Sequence, residues 1–150
     1  MYRKFASKSP NFVAHKNTEK MNKTDYIDYW KRTAEDSRIS TQALFDANRF
    51  VESVFWVHLT LEKLLKAHWV KDNPTDIAPR IHNLVRLADE TTLVLDATQR
   101  RFLLDMNTYQ MDSRYPDYNF SIETICTPTQ TQAILTEVNI FTTWLVNQLP

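Results

Sequence analysis

The sequence predicts an all-α, up-and-down bundle of four to five helices, and three observations point there. Apolar residues recur at alternating spacings of three and four through several long segments, the signature of one helical face. No segment alternates apolar and polar residues with the period of two that a half-buried strand requires. The 150 residues contain no Gly, which argues against tight hairpins, β-barrels and Gly-rich phosphate loops, because all of these use positive φ angles.

At this length one domain can bury a core without disulfide or metal support. Hydrophobic residues at 43% and charged residues at 24% are the mixture of a soluble globular chain. Residues 1–20 carry Arg3, Lys4, Lys8, Lys16 and Lys20 against Glu19, a net of +4 in a chain of net zero. The segment reads as a basic, flexible N-terminal tail, dispensable for folding, with the helical domain at 21–150. That domain is then modestly acidic, so any polyanion binding has to come from a local patch rather than a global field. Cys126 is the only cysteine, which excludes a disulfide framework and a cysteine zinc site. No run of apolar residues is long enough to span a bilayer and no apolar signal segment opens the chain, so a cytoplasmic protein without membrane contact is expected.

The first helix is predicted to start at Thr24 or Asp25, both capping residues, and to run to about Ala47. Its inner face is Ile27, Trp30, Ala34, Ser37, Thr41 and Leu44, small in the middle, so that a neighbour can approach closely. Asn48 stands where the chain must turn, and Asn tolerates the left-handed region. The second helix covers about Arg49 to Lys71. It carries one stripe of Val54, Val57, Leu61, Leu64 and His68 beside another of Phe55, His58, Glu62, Leu65 and Trp69; two adjoining stripes make a central bundle helix. Glu52, Lys63 and Lys66 mark an exposed edge, with Trp56 on or near it as the anchor of a contact surface. Asn73-Pro74 and Pro79 bracket a loop. A short third helix follows from about Ile81 to Glu90, and Asp96 with Gln99 forms a capping box for a fourth, Ala97 to Arg114. Pro116 ends that helix. Thr127-Pro128 opens the last one, to about Gln148, with Ile134, Val138, Phe141 and Leu145 inward.

Several of these residues form a pattern. Ala34 to Ala67, with Asn48-Arg49-Phe50, His58 and Glu62-Lys63-Leu64-Leu65-Lys66-Ala67, resembles the first two helices of HEPN domains, where the turn reads G-R-Y and the second helix H-x-x-x-E-K-x-L-K-A. Ile81-His82-Asn83-Leu84 resembles the T-H-D-L that opens the family's third helix. Arg114-Tyr115-Pro116-Asp117 is identical to the R-Y-P-D that ends the fourth helix in a prokaryotic branch. The chain departs in having Asn48 for Gly and Asn83 for Asp. It also lacks the motif of HEPN ribonucleases, an Arg followed after four to six residues by a His. Positions 119, 120 and 121 are Asn, Phe and Ser, and no other Arg has a His at that interval. Proton shuttling near neutral pH needs such a group.

The resemblance implies a non-catalytic nucleotide- or RNA-associated module, not an enzyme, that pairs with a minimal nucleotidyltransferase in a toxin–antitoxin-like system and forms a homodimer. A purely structural, oligomerising bundle is the alternative, and a ribonuclease toxin the third reading. The expected nucleotide-binding residues are Arg114, Tyr115, Asp117, His58, Glu62 and Lys66, with no metal and no cofactor. His58 and Glu62, one turn apart, are either a ligand-facing pair or a polar pair that satisfies itself at a helix interface. His82 reads as a cap or loop contact, and His15 and His68 carry no assigned role. In an antiparallel arrangement Arg114 is expected to reach Glu62 or Asp117 and to close a small polar pocket.

Overall fold

The computed structural model describes residues 20–150; the predicted tail, Lys20 apart, lies outside the described residues. Six helices follow in order, α1 (Lys23–Asp46), α2 (Phe50–Asp72), α3 (Leu84–Asp89), α4 (Ala97–Arg114), α5 (Ser121–Ile125) and α6 (Pro128–Val146). No strand occurs among the described residues. The fold is the expected helical bundle, with α1, α2, α4 and α6 alternating in direction and α3 and α5 as short pieces in the connections.

Local chemistry sets the helix ends. Asn22, ahead of the two predicted caps, starts α1: its side chain accepts from Asp25 N, and the Asp25 carboxylate accepts from Asn22 N. The Asp96–Gln99 capping box forms on α4, and Thr127 caps α6 with Pro128 in the first turn. Helix α3 is shorter than predicted because Asn83 caps it, accepting from Arg86 N at 3.0 Å, which leaves Ile81 and His82 in the loop. Helix α5 was not anticipated. Asp117 makes it, accepting from both the Ser121 N–H and its hydroxyl at 2.8 and 2.6 Å, and Ile122 pins it to the core.

Helix α2 is the axis of the molecule, packed against α1, α3, α4 and α6. Its first predicted stripe is buried throughout, and Leu61 and Leu65 are fully buried, each such side chain contributing about 2 kcal/mol. The small face of α1 lets the two helices close on each other, with Ser53 Oγ donating to Thr41 O at 2.8 Å. The exposed edge predicted for α2 is not built as expected. Lys66 is buried, and Lys63 reaches across to α1, donating to Thr33 O and Ser37 Oγ at 3.0 and 2.7 Å. Trp56 is half-buried without either lysine as its rim.

Asn48 has φ 58°, the left-handed conformation expected at the α1–α2 turn, and Arg49 N closes that turn on Leu44 O at 2.8 Å. Asn48→Gly is therefore expected to keep or slightly raise stability, whereas Asn48→Val should cost about 1–2 kcal/mol. Urea denaturation of the two variants checks this; equal stabilities would contradict a left-handed requirement at this position.

Candidate functional site

His58, Glu62 and Lys66 fall at successive turns of α2 and so share a face. All three are buried in the bundle, where a charge is stable only if it is paired and hydrogen-bonded. The Glu62 carboxylate is the hub. Lys66 Nζ donates to its Oε1 at 2.7 Å, and His82 Nδ1 lies 3.2 Å from both oxygens. On its other side the Lys66 ammonium stands 5.3 Å from the centre of the Trp30 ring, a cation–π contact that stabilises a desolvated cation.

His82 brings the cluster to the surface, with a side chain 69% exposed. Two asparagines hold its loop in place. Asn107 of α4 accepts from Leu84 N at 2.9 Å and donates to Asn83 Oδ1 at 3.2 Å, so the start of α3 is fixed against α4, and His82 with it.

His58 is different. It is 1% exposed, and neither ring nitrogen has a partner at full hydrogen-bond geometry, the His82 main chain and the Asn107 amide being the polar groups that face it. Its Nδ1 lies 3.7 Å from Glu62 Oε2, too far for a hydrogen bond. Burial pushes its pKa below the usual histidine value; Glu62, the His82 main chain and the Asn107 amide oppose the shift without reversing it. The ring is thus kept neutral beside a charged pair. His68, on the same helix, has one partnered nitrogen, its Nδ1 having none. Its Nε2 is bonded to Leu145 O at 2.9 Å, a helix-to-helix tie in keeping with its having no assigned role.

The expected binding residues therefore separate into two groups. His58, Glu62 and Lys66 come together; Arg114, Tyr115 and Asp117 do not join them. Among the described residues Arg114 forms no ion pair with Glu62, Asp117 or any other carboxylate, and its guanidinium instead lies 5.6 Å from the centre of the Tyr115 ring. Helix geometry gives the reason. Asn107 is the α4 residue level with His58, and Arg114 is seven residues further on, about 10 Å down the axis. It lines a concavity of about 250 Å³ with Val51, Phe55 and Trp56. Asp117 is engaged in capping α5, and those bonds from Ser121 hold its carboxyl below the usual range.

The sequence reading missed His82, Asn107 and Trp30 as members of the cluster. His82 stood inside a motif that signalled it, whereas nothing local marked Asn107. Among the described residues no three His, Cys, Asp or Glu side chains converge as a metal site would require, and no helix is long and apolar enough to cross a membrane. Cys126 is buried, with its thiol pushed up to about 11 by that burial, so it is not a nucleophile at neutral pH.

A family model described as HEPN domain matches residues 27–149, a span that includes both groups of residues. No curated protein and no solved structure matches the chain.

Two outcomes follow from the buried charges. Glu62→Gln leaves Lys66 without its counter-charge and is expected to cost about 3 kcal/mol, whereas Glu62→Gln with Lys66→Met removes both charges and should recover most of that loss. A double variant as unstable as the single one would show that the pair is not the relevant unit. The second concerns acid. His58 and His68 have folded pKa values lowered by burial from 6.5, so the unfolded chain binds protons more readily, and stability rises with pH where only the unfolded state is protonated. Stability is expected to be complete above about pH 7 and to fall as the pH drops through 6.5. Urea midpoints at pH 7.5 and 5.5 test the sign; equal midpoints would mean that neither histidine is held neutral.

Proposed function

The chain belongs to the HEPN domain family, and from that premise we propose that it is a non-catalytic member that binds a nucleotide or an RNA end at the surface formed by His82, the Glu62–Lys66 pair and, two turns along α4, Arg114 with Tyr115. Association with nucleotide or RNA is the general property that membership supports. The observation that supports the more specific reading is a buried Glu62–Lys66 ion pair that reaches solvent through the exposed His82 ring, with the buried His58 imidazole beside it.

Asn107 and Arg114 lie on one face of α4 at heptad spacing, so a ligand at His82 extends along α4 toward Arg114. There an exposed guanidinium and the exposed Tyr115 ring offer a cation for phosphate and a plane for a base. The inactive reading rests on the absence of a His at the ribonuclease interval after any Arg, which leaves no proton-transfer group where the family's chemistry places one. In this proposal the partner is a minimal nucleotidyltransferase within a toxin–antitoxin-like pair, and the chain forms a homodimer.

Isothermal titration with AMP, ATP and a short single-stranded RNA tests the reading. At least one is expected to bind saturably, with affinity reduced fivefold or more by His82→Ala and by Arg114→Ala, both at exposed positions, with the unliganded melting temperature of each variant measured alongside. Incubation with RNA should yield no cleavage. Absence of saturable binding, or binding indifferent to both substitutions, would overturn the site; cleavage abolished by Arg114→Ala would overturn the non-catalytic assignment.

A further inference from the structure

Thr60 and Leu64 point away from the polar cluster, on the opposite face of α2, and form the floor of a cleft of about 450 Å³ between α1 and α6. Its size is that of a small-molecule site, roughly 300–1,000 Å³.

The cleft carries three cations, Lys31, Arg32 and Arg38, against one carboxylate, Glu35. Thr60 donates its hydroxyl hydrogen to Trp56 O at 3.0 Å, and Thr142 and Thr143 donate theirs to Asn139 O at 3.2 and 2.8 Å, so these hydroxyls offer the cleft no hydrogen. Three cations stand on the α1 side. Arg38 is engaged by Glu35 through two bonds of 2.7 and 2.6 Å, and this contact holds the one carboxylate lining the cleft below its usual pKa range. Lys31 donates to Pro150 O at 2.6 Å and retains two hydrogens. Arg32 has no ion pair among the described residues; its guanidinium lies 5.8 Å from the centre of the Tyr29 ring. Ala34, Leu64 and Val146 supply the apolar surface, and no aromatic side chain lines the cleft. Bases are recognised largely by stacking on such rings, so a nucleobase gains little here.

We propose that this cleft is a second ligand site, independent of the polar cluster, for a small aliphatic anion: an alkyl chain lying on Leu64 and Val146 with a carboxylate or phosphate monoester head held by Arg32 and Lys31. Both head groups are planar or tetrahedral arrays of acceptors, which a free guanidinium binds through two parallel hydrogen bonds.

The test uses the full chain with octanoate and octyl phosphate as probes, read by titration calorimetry and thermal shift. Octanol supplies the same chain without charge, and acetate and inorganic phosphate the heads without the chain. One or both alkyl anions are expected to bind saturably, the stronger one identifying the head group, with octanol, acetate and phosphate each at least tenfold weaker. Arg32→Glu and Thr143→Trp, both at exposed positions, should each lower that affinity tenfold or more while leaving the unliganded melting temperature unchanged. His82→Ala should not affect it, which separates this site from the nucleotide site. The proposal is overturned if neither alkyl anion saturates, if octanol binds equally well, or if both cleft variants bind as the parent does. It is also overturned if the chain sediments as a dimer that Thr143→Trp disperses, because a second copy would then occupy the cleft.

Discussion

The enclosure of α2 governs this molecule. A helix buried along most of its length can send few of its polar groups to water, so they pair within the helix or with another element. The partners are specific: Ser53 on the Thr41 carbonyl, Lys63 on Thr33 and Ser37, His68 on Leu145. These contacts fix the rotation and axial position of α1 and α6 against α2, a precision that apolar packing alone gives less sharply. Glu62 and Lys66 obey the same constraint, meeting each other, His82 and Trp30.

Much of this was legible in the sequence because it depends on short-range periodicity and end chemistry. Val54, Val57, Leu61 and Leu64 announce a buried stripe, Asp96 with Gln99 a helix start, and Asn48 a left-handed turn. What was not legible depends on axial level, which is set by packing across the bundle. Glu62 and Arg114 are both polar residues on faces turned toward one another, and the sequence cannot say that two turns separate them. Lys66 shows a second limit. One turn from Glu62 it looks like half of an exposed i,i+4 pair, and only the approach of Trp30 from α1 makes it a buried cation. Helix α5 escaped notice because five residues are too few to show a period, and it is held by the Asp117 side chain and the buried Ile122 rather than by a pattern.

The two faces of α2 differ in what they can recognise. Toward α3 and α4 the cluster pairs its charges and opens to solvent through one imidazole, which suits a ligand rich in both donors and acceptors. Toward α1 and α6 the cleft combines aliphatic walls with excess cation, which suits an acceptor-rich head on an apolar body. The two surfaces are separated by the thickness of a single helix whose core leucines are fully buried. Close packing of this kind transmits displacement rather than absorbing it, so the two faces are mechanically adjacent although chemically unlike.

The corner where α5 meets α6 has a consequence of a different kind. Cys126 is the only thiol in the chain and lies buried behind Ile122, in a segment held by the two bonds from Ser121 to Asp117 and the hydrogen bond of Cys126 N to Ile122 O. A thiol shielded in this way meets a reagent only when the segment detaches, and then reacts as an ordinary exposed cysteine. The chain therefore carries a native reporter of one local opening event, in which the rate of labelling measures how often this corner lifts from the bundle and needs no introduced probe.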